Sequence, residues 1–140
     1  MYEPIRKKSV PTMAGTPSDF PHRSREEELD IQLAGHLAAL LAVTDELRTV
    51  APSADLDAAA ERLAGQVARL RGGVAPARTQ VAAVRDPAAL HRRAHALSGR
   101  ALVVAASRAD TAAAILAAER MDAHAAAAPG GPQKLSSSTH

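Results

Sequence analysis

From Leu29 to Val50 the chain places Leu29, Leu33, His36, Leu40, Val43, Leu47 and Val50 alternately four and three residues apart. That spacing draws one stripe along a helix, the seam by which helices pack lengthwise. Leu37 and Leu41 widen it from a coiled-coil seam toward the broader face of a bundle helix. Ser24 and Glu27 stand at capping-box spacing, and Glu26, Glu27 and Glu28 put negative charge where the helix dipole favours it. The pattern predicts a helix ending near Val50, roughly 40 Å long.

The same stepping returns in Leu56, Ala60, Leu63, Val67 and Leu70, behind a cap at Ser53, and Gly72-Gly73 then ends or bends the helix. The short stretch PARTQVAAVR is expected to be helical with Val81 and Val84 inward. Asp86-Pro87 supplies an N-cap followed by proline at the first helical position, and no proline or paired glycine intervenes before Pro129. One last helix approaching roughly 60 Å is therefore expected. The expected fold class is all-α: an elongated up-down-up three-helix bundle in which residues 54–85 act as one broken arm, with one long C-terminal helix. If the glycine pair reverses the chain, PARTQVAAVR becomes a helix of its own in a four-helix bundle. The three-arm layout puts Gly35, Gly65 and Gly99 at one height, where small residues permit close approach, and sets the Arg-rich start of the last helix beside Glu26, Glu27, Glu28 and Asp30.

Residues 1–23 carry Pro4, Pro11, Pro17 and Pro21 among basic and small residues, and residues 129–140 read PGGPQKLSSSTH. Both compositions read as disordered tails flanking a helical bundle over 24–128. A chain of 140 residues suits one domain, and with 1% aromatics its core must use Leu, Val, Ile, Met and Ala, which favours helices. Absence of cysteine removes disulfides, thiolate metal sites and cysteine nucleophiles. The N-terminus never develops a secretion signal, and the apolar run ALVVAASRADTAAAIL is broken by Arg108 and Asp110 short of bilayer length, so a cytoplasmic protein without membrane contact is expected. Lysine occurs only at Lys7, Lys8 and Lys134 beside abundant arginine and alanine. In this the chain is similar to short all-helical proteins of Streptomyces and related actinobacteria.

Candidate chemistry concentrates in HRRAHALSGR, residues 91–100. With its flanks, DPAALHRRAHALSGRA resembles the active helix of histidine phosphotransfer domains, in which an exposed histidine within AH-x-LKG accepts a phosphoryl group from a receiver-domain aspartate. The resemblance implies His95 as acceptor, followed by Leu97 and Gly99; Ser98 stands where the family has its lysine, and Arg92 and Arg100 are imperfect substitutes for that point charge. His91 and His95, four apart, share a helical face that can chelate a divalent ion, with His36, His124, Glu119 and Asp122 as further donors. No spacing requires those donors to converge and two arginines adjoin the pair, so neither metal nor cofactor is expected.

Arg78, Arg85 and Arg92 fall seven apart, as do Arg93 and Arg100, a basic stripe suited to phosphates or an acidic protein surface. Its plain reading is solvated surface neutralised by the acids of the first helix. Nucleic acid ranks third as a ligand, because the net charge is only +2 and aromatic platforms for stacking bases are missing. His36 reads as a partly buried packing residue, with a pH-sensitive contact as the sharper alternative. The distal half of the last helix keeps Ala112, Ile115, Leu116, Ala118 and Met121 apolar, beyond the reach of shorter neighbours. The expected function is accordingly a non-enzymatic helical interaction or regulatory module. It would self-associate, or bind another protein, through Ile115, Leu116 and Met121.

Overall fold

The computed structural model describes residues 24–78 and 86–128, which form α1 (Arg25–Val50), α2 (Ala54–Leu70), α3 (Pro87–Arg108) and α4 (Thr111–Ala127) with no strand among them. The all-helical class and the start of α1 follow the hydrophobic pattern. Ser24 Oγ accepts the Glu27 N–H at 3.1 Å while the Glu27 carboxylate accepts the Ser24 N–H at 2.9 Å, closing the capping box. Ser53 Oγ accepts the Leu56 N–H at 3.1 Å and starts α2 after a three-residue turn at 51–53. The helix stops because Gly72 and Gly73 take φ of 71° and 94°, a left-handed path that lets the Gly73 N–H donate to Ala68 O at 2.7 Å.

The expected long C-terminal helix is corrected: residues 87–127 form two helices, not one. Ala109 adopts φ 58°, the Asp110 N–H donates to Ala105 O at 2.8 Å, and Asp110 Oδ1 then accepts the Ala113 N–H at 3.1 Å as the N-cap of α4. The chain thus reverses within two residues, and α4 lies back along α3. A left-handed alanine costs about 1–2 kcal/mol. Burial of Ala113, Leu116 and Ala117 in the same chain offsets that cost. Ala109→Gly should therefore stabilise the protein by about 0.5–1 kcal/mol, the strain relief reduced by glycine's greater backbone entropy when unfolded; a urea midpoint below the parent's would contradict the reading.

Ion pairs give the helix directions. Arg108 Nε meets Asp30 Oδ1 at 3.0 Å, so the end of α3 lies beside the start of α1. Arg62–Glu119 at 2.6 Å, Arg69–Asp110 at 2.8 Å and Arg120–Asp55 at 3.0 Å set α2 antiparallel to α4. With α1 pointing up, α2 and α3 run down and α4 runs up, and the cyclic order is α1, α2, α4, α3. The up-down-up layout is corrected with it. Residues 71–86 carry the chain from the lower end of α2 to the upper end of α3, and on the way Arg78 makes a two-pronged pair with Asp45 at 2.7 and 2.9 Å. Pro76, Ala77 and Arg78 are not helical, while Val81, Val84 and Arg85 lie outside the described residues. Among the described residues the fourth helix comes from the split at Ala109; most of PARTQVAAVR lies outside them.

Leu33, Leu37, Leu40, Leu41 and Leu47 of α1, Leu63 and Val67 of α2, Leu90 and Ala94 of α3, and Leu116 and Ala117 of α4 make one continuous core. Gly35 and Gly65 have open space where a side chain would stand, so they are not close-contact positions; Gly99 alone of the three faces a neighbour, the Met121 sulfur at 3.9 Å. The Arg-rich start of α3 lies at the opposite end of the bundle from Glu26, Glu27 and Glu28, because α3 runs antiparallel to α1. No helix among the described residues is long and apolar enough to cross a membrane.

Candidate functional site

The inward stripe of α4 changes character along its length. Ala113, Leu116 and Ala117 fill the lower half; Arg120 and His124, one and two turns on, fill the upper half at 4% and 1% exposure. Charged residues are rarely buried this far without partners. Here Arg120 Nη1 reaches Asp55 at 3.0 and 3.3 Å, Arg120 Nη2 lies 3.3 Å from His124 Nε2, and His124 Nδ1 lies 2.9 Å from His91 Nδ1. Arg120 Nε has no hydrogen-bond partner among the described residues. Asp55 sits in the first turn of α2, where the helix dipole favours a carboxylate, and its side chain is largely exposed. The chain of contacts runs from solvent at Asp55, through the interior, to the half-buried His91 on α3.

Donor and acceptor rules orient this chain. A guanidinium has donors only, so His124 Nε2 must accept and its proton must sit on Nδ1. His124 Nδ1–H then donates to His91 Nδ1, which leaves the His91 proton on Nε2. Both rings are therefore neutral, with the direction set by Arg120. Burial pushes His124 down to about 3, and the Arg120 charge adds to it; His91 is lowered by burial and then by the same charge. The rings are tilted by 44° with centroids 5.2 Å apart, an in-plane hydrogen bond and not a stack.

The spacing puts His91 and His95 on one helical face and gives His124, among the further donors, no reason to approach. The structure joins His91 to His124 and leaves His95 half-buried on the adjoining turn. Among the described residues no group of three or more His, Cys, Asp or Glu could hold a metal ion, and the nearest charge to the histidine pair is a guanidinium. Arg120 was not singled out. Its signal lies in the spacing Ala113, Ala117, Arg120, His124, which continues an inward stripe at four and three.

The position of the phosphotransfer motif's lysine, Ser98, is fully buried, with its hydroxyl donating to Ala94 O at 2.8 Å. That side of α3 faces the core and offers no cation to a phosphate. Of the basic stripe, Arg78 is spent on Asp45 and Arg85 lies outside the described residues, while Arg92, Arg93 and Arg100 are exposed. Of the interaction residues, Leu116 is in the core, Met121 is half-buried against Gly99 and Ile115 is 52% exposed. His36 is half-buried. A shallow cavity of about 290 Å³ between α1 and α2 is lined by Glu27, Asp30, Ile31 and Leu70. Its carboxylates are already engaged, Glu27 in the capping box and Asp30 with Arg108.

No protein-family model, curated protein or solved structure matches this chain.

Proposed function

We propose that this protein is a non-catalytic helical module that acts by protein–protein contact, docking an acidic protein surface on the outer face of α3. One observation carries the reading. Arg48, Arg62, Arg69, Arg78, Arg108 and Arg120 each hold a carboxylate, whereas Arg92, Arg93 and Arg100 stand exposed on one helix, Arg100 about two turns beyond Arg93, with no ion-pair partner among the described residues. Ala96 and Val103 lie exposed between and beside them, so the face combines charge with a small apolar centre. Self-association keeps less support than docking on α3, because the expected overhanging helix is two helices and Leu116 is covered by the same chain, with Ile115 left exposed.

The test is binding of a fluorescent oligoglutamate peptide at low salt. Arg93→Gln/Arg100→Gln should weaken it roughly tenfold, at ~0.7 kcal/mol per exposed charged contact. Arg25→Gln/Arg71→Gln, the same change in charge on two exposed arginines elsewhere, should not. Equal weakening by both variants would reduce the effect to net charge and end the proposal. Tighter, strongly salt-dependent binding of a short DNA duplex through the same two arginines would replace it with nucleic-acid binding.

A further inference from the structure

The donor–acceptor order of the buried chain has a mechanical consequence. Arg120 donates to both Asp55 and His124, and His124 donates to His91, so the Arg120–His124 contact requires an unprotonated His124 Nε2 and the His124–His91 contact an unprotonated His91 Nδ1. A proton added to His91 Nδ1 sets N–H against the N–H of His124. A proton added to His124 Nε2 removes the acceptor for Arg120 and places two cations side by side in the interior. The alternative tautomer of His124 relieves the first conflict only by turning an N–H toward the guanidinium, which breaks the Arg120 contact instead. Among the described residues the charged and titratable groups acting on the pair are Asp55 from α2, His95 from α3 and Arg120 from α4; Asp55 already serves Arg120.

We propose that the His91–His124 pair is a proton-operated latch holding the upper half of α4 to α2 and α3, and that protonation releases this half while the lower bundle stays folded. Geometry decides where the chain opens. Below the latch, α4 is fastened by Asp110 to Arg69 and by the buried Ala113, Leu116 and Ala117, none of which titrates in mild acid. Above it, the inward positions are the titratable pair and Arg120, with Ala127 ending the helix. His91 is the entry point for the proton because it is half-buried while His124 is fully covered. Release uncovers apolar surface at Leu90 and Ala94 at the upper end of α3.

The experiment is performed on the full chain by two readouts. Nitrogen-15 histidine spectra at pH 7.5 should show His124 as the Nδ1–H tautomer and His91 as the Nε2–H tautomer. Hydrogen exchange, corrected for intrinsic rate, should then show protection over 120–127 falling about tenfold per pH unit once His91 begins to titrate, with amides of α1, which open only on global unfolding, keeping the higher protection throughout. In His91→Gln/His124→Gln, whose amides donate and accept without titrating, protection over 120–127 should be flat from pH 7.5 to 5. The opposite tautomers, flat protection in the parent, or an equal fall in the double variant would each overturn the latch. Should the double variant not fold, the tautomers and the coincidence of His91 titration with loss of protection in the parent decide alone.

Discussion

Leu37→Ala should lower the free energy of unfolding by about 2–5 kcal/mol, the range for truncating a fully buried leucine. Leu37 has 0% exposure midway along α1, the helix that packs against both α2 and α3. A cavity there loosens two interfaces at once. Collapse around it is limited, because the same core includes Ala60, Ala94 and Ala101, which have no longer side chain to rotate into a void. Ile31→Ala on the same helix, at 49% exposure, should cost far less, about 0.5 kcal/mol. Urea denaturation at neutral pH compares the two, and similar midpoints would mean that Leu37 is not a core residue.

The second large effect concerns acid. Stability at pH 5 should be about 2 kcal/mol lower than at pH 7, as one buried imidazole refuses a proton that the unfolded chain accepts. The sign follows from proton counts. His124 is held down to about 3 by burial and then by Arg120, against 6.5 in an open chain, so between these values the unfolded state binds more protons and acid favours it. The contribution is intact above pH 6.5 and is lost progressively below it, up to ~1.4 kcal/mol per unit for one group. His91, also lowered, adds in the same direction.

Asp45 and Asp110 give the same sign in a different window. Burial raises each, but Arg78 and Arg48 outweigh it at Asp45, as do Arg69 and the Ala113 N–H at Asp110, so both carboxyls end below 3.8. Their share disappears only as pH falls through and below that range. Urea midpoints at pH 7, 6 and 5 for the parent and His124→Gln separate the two. A parent slope that survives the substitution would locate the acid sensitivity elsewhere.

Helices α1 and α2 could be read from the chain almost residue by residue, since leucine and valine at four and three leave one face to bury and Ser24, Ser53 and the glycine pair mark the ends. The C-terminal third could not be read in this way. In TAAAILAAERMDAHAAA alanine lies on every side, so the hydrophobic pattern does not choose a register. The stripe Ala112, Ile115, Ala118, Met121 is as good on paper as Ala113, Leu116, Arg120, His124. Docking against α3 selects the second. The choice is made by ion pairs at Asp110 and Asp55 and by the narrow contact that alanine allows, neither of which is local. The same holds for the turn at Ala109. No residue there prefers a left-handed conformation; only Asp110, a good cap within an apparently continuous helix, hints at a break.

By itself, then, the sequence determined that this protein is built of helices, where the first two begin and end, and which leucines and valines of these two turn inward, because those features depend on neighbours a few residues away. Tertiary structure alone decided that the last helix folds in half, that His91 meets His124 and not His95, and that Arg120 is buried between Asp55 and His124. These depend on which surfaces meet across the bundle, and an alanine-rich segment carries too little side-chain shape to specify its partner in advance.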